Sequence, residues 1–279
     1  MKNLYMCFPN GKSKALTLSY DDGSRYDIKL AEIITKYGFK CTFNICSGLV
    51  ADSSDGWHLT KEEIKKYIVS ANHEIAVHTA YHRAPGIIDL TDGIKEVLEC
   101  REALERWFGG IIKGMAYPNS GVLFFDNGFS YRNVKNYLTE LGISYARSLE
   151  GDNDNFRLPE DWHNWIPTAH HGNPELMRYI DEFISNTSPE PKLFYLWGHA
   201  YEFHANDNWD LLIEICEKLS GREDIWYATN IEIYNYVMAF RSLIFNVDKT
   251  VVYNPSAQAV WFKADDKNYL VKSGKTINI

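Results

Sequence analysis

The sequence predicts an α/β barrel of about seven strands with a small β appendage at its C-terminal end. Three observations point there. Short apolar runs alternate with amphipathic stretches from residue 15 to residue 240, the rhythm of strands joined by crossover helices. The length of 279 residues suits one barrel of about 250 residues with a remainder. Polar residues fit for chemistry recur just after the strand-like runs, where such barrels gather their active sites.

In order, residues 15–20 read as a buried strand ending in Asp21-Asp22-Gly23. Residues 27–37 have helical spacing, with Gly38 as a stop. Residues 41–46 form a second strand. Thr60 and Glu63 make a capping box that opens a helix over 61–70. A brief strand over 74–77 leads into His78. Residues 90–108 form a long amphipathic helix closed by Gly109-Gly110, and 114–117 a strand ending at Pro118. The helix over 132–141 stops at Gly142, and the next strand covers 144–147. Residues 150–165 are polar and read as a loop. A helix over 174–184 precedes a strand over 193–197 that ends in Gly198-His199. Helix 209–219, strand 225–228 and helix 231–240 complete the series. The barrel is expected over residues 1–246. Beyond it, short runs at 251–253, 259–262, 269–271 and 276–279 alternate with turn residues and predict a β appendage over 247–279. At this size it needs the barrel to pack on.

Composition narrows the function. Hydrophobic residues make up 45% and charged residues 24%, as in a soluble globular protein. The net charge of -8, with no Lys/Arg-rich block, disfavours nucleic acid and anionic membranes as partners. No apolar run is long enough for a membrane span or an export signal, so a cytoplasmic location is expected. The cysteines, Cys7, Cys41, Cys46, Cys100 and Cys216, contain no C-x-x-C pair and are expected to be free and buried.

Two clusters carry chemistry. Asp21 and Asp22 are adjacent carboxylates at a strand end. They repel, so they take different tasks or share a cation; a solvated Asp-Gly turn is the plain alternative. His78 and His82 are four apart, which on a helical turn sets both rings on one face, able to grip one ion. Asp22 would be the third ligand. Such a set leaves positions open for water and substrate.

These stretches resemble the polysaccharide deacetylase family with the NodB-homology domain, carbohydrate esterase family 4. Its first motif, T-F-D-D-G, stands here as Ser19-Tyr20-Asp21-Asp22-Gly23, and its second, H-[ST]-x-x-H, as His78-Thr79-Ala80-Tyr81-His82. His73-Glu74-Ile75 resembles the lead-in to the second motif. The resemblance covers residues 10–245 and implies a distorted (β/α) barrel. It implies Asp21 as general base, Asp22, His78 and His82 as metal ligands, and His199 as general acid. The implied activity is removal of N- or O-linked acetyl groups from an acetylated carbohydrate, with one divalent ion. Zinc is expected, with cobalt or nickel as alternatives. The backbone N–H of Asn119, after Tyr117-Pro118, is the candidate oxyanion donor. Trp162 and Glu202 are further candidate substrate contacts, and Glu202 is also placed to orient His199 or to lie in solvent.

The sequence departs from the family pattern twice. The third motif, R-x-P-x-G-like, reads Ala116-Tyr117-Pro118-Asn119-Ser120-Gly121, so the Arg that pairs with the catalytic Asp in the family is missing. Arg147, at the next strand end, is a stand-in, an ordinary surface position being the plainer reading. The fourth motif is only echoed in Pro159-Glu160-Asp161-Trp162, where Asp161 is a candidate support for His199. His170 and His171 could wall the cleft; as strand neighbours they are expected to point apart, which argues against a second metal site. Two competing readings are a hydrolase of small non-peptide amides and a catalytically impaired carbohydrate-binding protein.

Overall fold

The computed structural model describes residues 3–53, 56–119, 130–149, 152–265 and 267–279. The elements are β1 (Leu4–Cys7), β2 (Lys14–Asp21), α1 (Asp27–Lys36), β3 (Cys41–Ile45), α2 (Lys61–Glu63), β4 (Glu74–Val77), α3 (Leu90–Phe108), β5 (Gly114–Ala116), α4 (Tyr131–Glu140), β6 (Tyr145–Arg147), β7 (Ala169–His170), α5 (Leu176–Ser185), β8 (Lys192–Gly198), α6 (Ala200–Ala205), α7 (Trp209–Leu219), β9 (Ile225–Tyr227), α8 (Asn230–Arg241), β10 (Ile244–Phe245), β11 (Val251–Tyr253), β12 (Val260–Ala264), β13 (Lys267–Val271) and β14 (Thr276–Asn278). The Thr60–Glu63 capping box is present, but after the first turn the helix widens into a π-helix over Ile64–Val69. No helix of the described residues is long and apolar enough to cross a membrane.

The main sheet is parallel and curls into a distorted (β/α) barrel, with strand order β6-β5-β4-β3-β2-β8-β7. β9 lies along the first half of β2, Lys14 to Leu16, while β3 pairs only with the second half, Leu18 to Asp21. The two strands thus share one edge of β2, and the sequence rhythm does not reveal this. One segment spans the two ends of the sheet. Trp165 donates to Ala146 O and its own carbonyl accepts from Ser148 N; a few residues on, β7 pairs with β8.

β2 is buried along its whole length, as expected of a central strand covered on both faces. Its residues alternate between two cores. Leu16, Leu18 and Tyr20 pack toward the helices. Ala15 faces the barrel interior with Tyr145, Trp165, Leu193 and Tyr195. That parity sends Thr17, Ser19 and Asp21 inward as well. The interior is partly polar and plugged from below by the N-terminus of α8. Ile231 N–H donates to Glu74 at 2.8 Å, Tyr145 Oη donates to Glu74 at 2.6 Å, and Asn230 Nδ2 donates to Tyr195 Oη at 2.6 Å. A carboxylate facing a helix N-terminus is favoured by the helix dipole.

The strands anticipated in the tail are present. They form two three-stranded antiparallel sheets, β1-β12-β13 and β10-β11-β14, around Val252, Val260, Phe262 and Val271. The N-terminal β1 is the outer strand of the first sheet, so the two ends of the chain pair with each other. All five cysteines are free and buried.

His73, at the entry to β4, is locked as a neutral ring. Its Nδ1 accepts the Cys41 N–H at 3.3 Å, and its Nε2 lies 3.0 Å from Thr35 Oγ1, whose own proton goes to Ala31 O. Burial, helped by the Lys40 ammonium, pushes its pKa from 6.5 down to about 4. The unfolded chain therefore binds a proton that the folded chain refuses, and stability falls as pH drops from 6.5 to 4. At one pH unit per 1.36 kcal/mol the loss reaches about 3 kcal/mol. Urea titrations across this window should give a shallower pH slope for His73→Gln; an unchanged slope would assign the acid sensitivity elsewhere.

Candidate active site

The inward parity of each strand delivers one side chain to the C-terminal end of the barrel. β2 brings Asp21, β3 brings Asn44, β6 brings Arg147, and the loops after β4 and β8 bring His78 and His199. Asp21 is 2% exposed and fully engaged. Its Oδ1 accepts from Asn44 Nδ2 at 2.7 Å, and its Oδ2 accepts from Arg147 Nη2 at 2.5 Å.

Arg147 is not the surface residue that was the plainer expectation. It is wholly buried, with its guanidinium 4.4 Å over the Trp197 ring. The reason is register: Arg147 is the direct partner of Ala116 on the adjacent strand. Neighbouring inward side chains compete for one volume, so a small Ala116 leaves the space that Arg147 fills. The charge missing from the third motif is supplied one strand over. The Ser120-Gly121 end of that motif lies outside the described residues.

Asp22 follows β2 in a left-handed conformation, φ 78°, which turns its carboxylate away from that of Asp21. Its Oδ1 lies 3.4 Å from His78 Nε2 and 3.3 Å from His82 Nε2. The two histidines do not converge through a helical turn as their spacing suggested. Residues 78–82 form an irregular bend with Thr79 at φ 60° and His82 at φ 58°. Such angles are strained for non-glycine residues, and for β-branched Thr above all, so the surroundings must hold them. Glu96 on α3, 5% exposed, does so by accepting the Tyr81 N–H at 2.8 Å and standing 3.6 Å from Arg83 Nη1.

This arrangement fits a metal ion. Asp22 Oδ1 is buried without a hydrogen-bond partner. Ligand atoms about 2.0–2.2 Å from a tetrahedral ion stand about 3.4 Å apart, close to the spacings here. His78 Nδ1 lies 2.9 Å from Ala116 O, so Nδ1 donates and Nε2 keeps its lone pair for an ion. Cys46 lies close enough to Asp22 and His78 to join the donor group. Its thiol, however, donates to His78 O at 3.2 Å, and burial raises its pKa well above the ordinary value. It reads as structural. Burial opposes the Asp22 charge, but the three neighbouring imidazoles hold its pKa down to about 2.

His199 Nε2 faces this pair from β8, 4.0 Å from both Asp21 Oδ2 and Asp22 Oδ2. Burial would lower its pKa, but Glu202 and the two aspartates outweigh it and raise it. Glu202 is not a solvated loop carboxylate: its Oε1 is 3.3 Å from His199 Nδ1. Asp161 does not reach His199; it accepts from Tyr131 Oη and Lys135 Nζ, each at 2.8 Å. His170 and His171 do not point apart. Their ring centroids are 4.4 Å apart, because β7 ends at His170 and the chain turns there.

The candidate substrate contacts divide. Tyr117 is 1% exposed and donates to His163 O at 2.9 Å, so it is a core residue. Trp162, 7% exposed, packs edge-on against Trp165 and Tyr234 rather than on the cleft. Pro118 is buried, while Asn119 is exposed with φ 49° just beyond β5. On the open side His199, Tyr201 and Trp57 form a row with centroid spacings of 5.1 and 5.5 Å, and Trp57 is 45% exposed.

Sequence reasoning missed Asn44, Glu96 and the burial of Arg147. The signal for Asn44 and Arg147 was the same: a polar residue on the inward parity of an otherwise apolar strand end. Removing one partner of a buried ion pair leaves the other charge stranded. Arg147→Met should therefore cost about 3–5 kcal/mol of stability. Adding Asp21→Asn should recover part of that loss. A double-mutant cycle in guanidinium showing strictly additive losses would deny the coupling.

A family model described as polysaccharide deacetylase matches residues 9–146, ending one residue before Arg147. No protein of curated function matches the sequence. Among solved structures, a Mycobacterium smegmatis protein provisionally described as a polysaccharide deacetylase aligns with TM-score 0.60 at 15% identity, covering 86% of this chain and 96% of that one. The chitin deacetylase of Colletotrichum lindemuthianum aligns with TM-score 0.51 at 18% identity, covering 82% and 89%. A family 4 carbohydrate esterase from Streptomyces lividans in complex with acetate gives 0.50 at 14% identity, covering 77% and 91%. At these identities the structures speak for the fold, a curled parallel barrel of the same kind. With the family match across residues 9–146, just under half of the chain, and the shared fold, the chain is similar to the polysaccharide deacetylase family.

Proposed function

We propose that this protein is a metal-dependent deacetylase that hydrolyses N- or O-linked acetyl groups on a carbohydrate. One observation carries the reading: His78 and His82 converge on an orphaned Asp22 oxygen, while Asp21 and His199 face each other beside it across 4.0 Å. Asp22, His78 and His82 would hold the ion. When bound, a divalent ion such as zinc brings the pKa of water toward neutrality and polarises a carbonyl.

The residues then divide the work. Asp21, held on both oxygens by Asn44 and Arg147, takes the proton of the attacking water at Oδ2. Arg147 sets an opposite charge against that carboxylate in a dry site. His199 gives its Nε2 proton to the departing amine or alkoxide. The backbone N–H of Asn119 is the proposed oxyanion donor. The faces of Tyr201 and Trp57 suit the apolar face of a sugar ring. The reading as an impaired binding protein leaned on the missing third-motif Arg; Arg147 beside Asp21 removes that support.

Acetate release from acetylated chito-oligosaccharides, acetylated xylan and peptidoglycan fragments tests the proposal. Activity should vanish with a chelator and return with zinc. Acetate from none of these, with no metal by elemental analysis, would sink it. Asp22→Asn should lose the metal. Asp21→Asn should keep it while kcat falls by roughly 100-fold or more, in the range for a lost general base. An active Asp21→Asn enzyme would reassign the base.

A further inference from the structure

A second group of ionisable side chains, beside the Asp22 set, surrounds Glu202. This residue lies in the first turn of α6, directly after His199, and its two oxygens are divided. Oε2 stands 2.9 Å from His170 Nε2 and 3.1 Å from His171 Nε2. Oε1 stands 3.3 Å from His199 Nδ1, a buried ring nitrogen without a formed hydrogen bond.

The two supporting rings are themselves fixed. His171 is 3% exposed and stacks on Phe203 at 4.1 Å and on Tyr20 at 5.8 Å. It fits only because residue 198 is glycine; a Cβ there would collide with the ring. His170 packs edge-on against Trp197 at 4.6 Å. Glu202 is therefore gripped from β7 while it reaches His199 from α6.

His170, His199 and Glu202 also lie close enough together to invite a second metal ion. The spacing argues otherwise. At 2.9 and 3.1 Å, both imidazoles are within direct charge-assisted hydrogen-bonding range of the carboxylate, nearer than the roughly 3.4 Å between ligands of a tetrahedral ion. His170 and His171 thus engage Glu202 Oε2 directly, with no ion between them.

Resting on the reading of His199 as proton donor, we propose that Glu202, clamped by His170 and His171, is the positioning residue that fixes the His199 ring. Nδ1–H points to Glu202 and stays there. Nε2 presents the proton that moves to the leaving nitrogen or oxygen as its bond to the acetyl carbon breaks. Glu202 takes the supporting place for which Asp161, tied to Lys135, is not available.

Two substrates separate this role from a merely structural one. An N-acetylated chito-oligosaccharide needs its amine protonated as it leaves; 4-nitrophenyl acetate releases a phenolate that needs no proton. In the zinc-loaded protein, Glu202→Gln should lower kcat on the amide by roughly 10–100-fold with little change in KM. The loss on the aryl ester should be at most a few-fold, and Glu202→Asp should recover part of the amide activity. Equal losses on both substrates, or none on the amide, would overturn the proposal. His199→Gln run in parallel should show the same leaving-group dependence; if it alone leaves amide turnover intact, the donor assignment fails instead. The 15N spectrum of the His199 ring tests the clamp without turnover. Nδ1 should be protonated in the wild type and lose that preference in Glu202→Gln, and a wild-type ring protonated only at Nε2 refutes the clamp. A second equivalent of metal removed by Glu202→Gln would equally refute it.

Discussion

The buried pair between Asp21 and Arg147 is the constraint on which the rest of the site depends. An aspartate with 2% exposure needs a cation and hydrogen-bond donors in place of the water it has lost. Arg147 from β6 and Asn44 from β3 do this, and in doing so tie three strands together at one end of the barrel. The cost of burying the pair is offset only while both partners are present. The geometry of Asp21 is thereby coupled to the closure of the barrel.

The same end of the barrel concentrates strained backbone. Asp22, Thr79, His82 and Asn119 all adopt left-handed conformations there. Each angle aims a group that a relaxed loop would turn elsewhere. Glu96 and the Ala116 carbonyl, both from the scaffold, over-determine the loop that carries His78 and His82. Strain held by packing is a recurrent mark of sites organised before substrate arrives. The segment that runs from β6 to β8 serves the opposite wall, bringing His170 and His171 to the base of α6. The barrel closure and the Glu202 cluster are therefore two consequences of one short stretch of chain.

What the sequence alone determined here was periodicity and local chemistry. The strand–helix rhythm, the Thr60–Glu63 cap, the buried strand before Asp21 and the strands of the tail were all readable because they depend on neighbours within a few residues. So was the pairing of Asp22 with two histidines, since the order and spacing of motifs are linear properties. Tertiary structure decided whatever depends on which strand lies beside which. That Arg147 sits opposite Ala116 is a matter of parallel register, set 31 residues apart along the chain. That Glu202 rather than Asp161 stands against His199 follows from α6 starting at the end of β8. That Trp162 is core and Tyr201 is cleft follows from packing, which treats aromatic residues alike in sequence and very differently in space. A charge needs a partner wherever it is buried, but the one-dimensional chain does not say from which strand that partner will come.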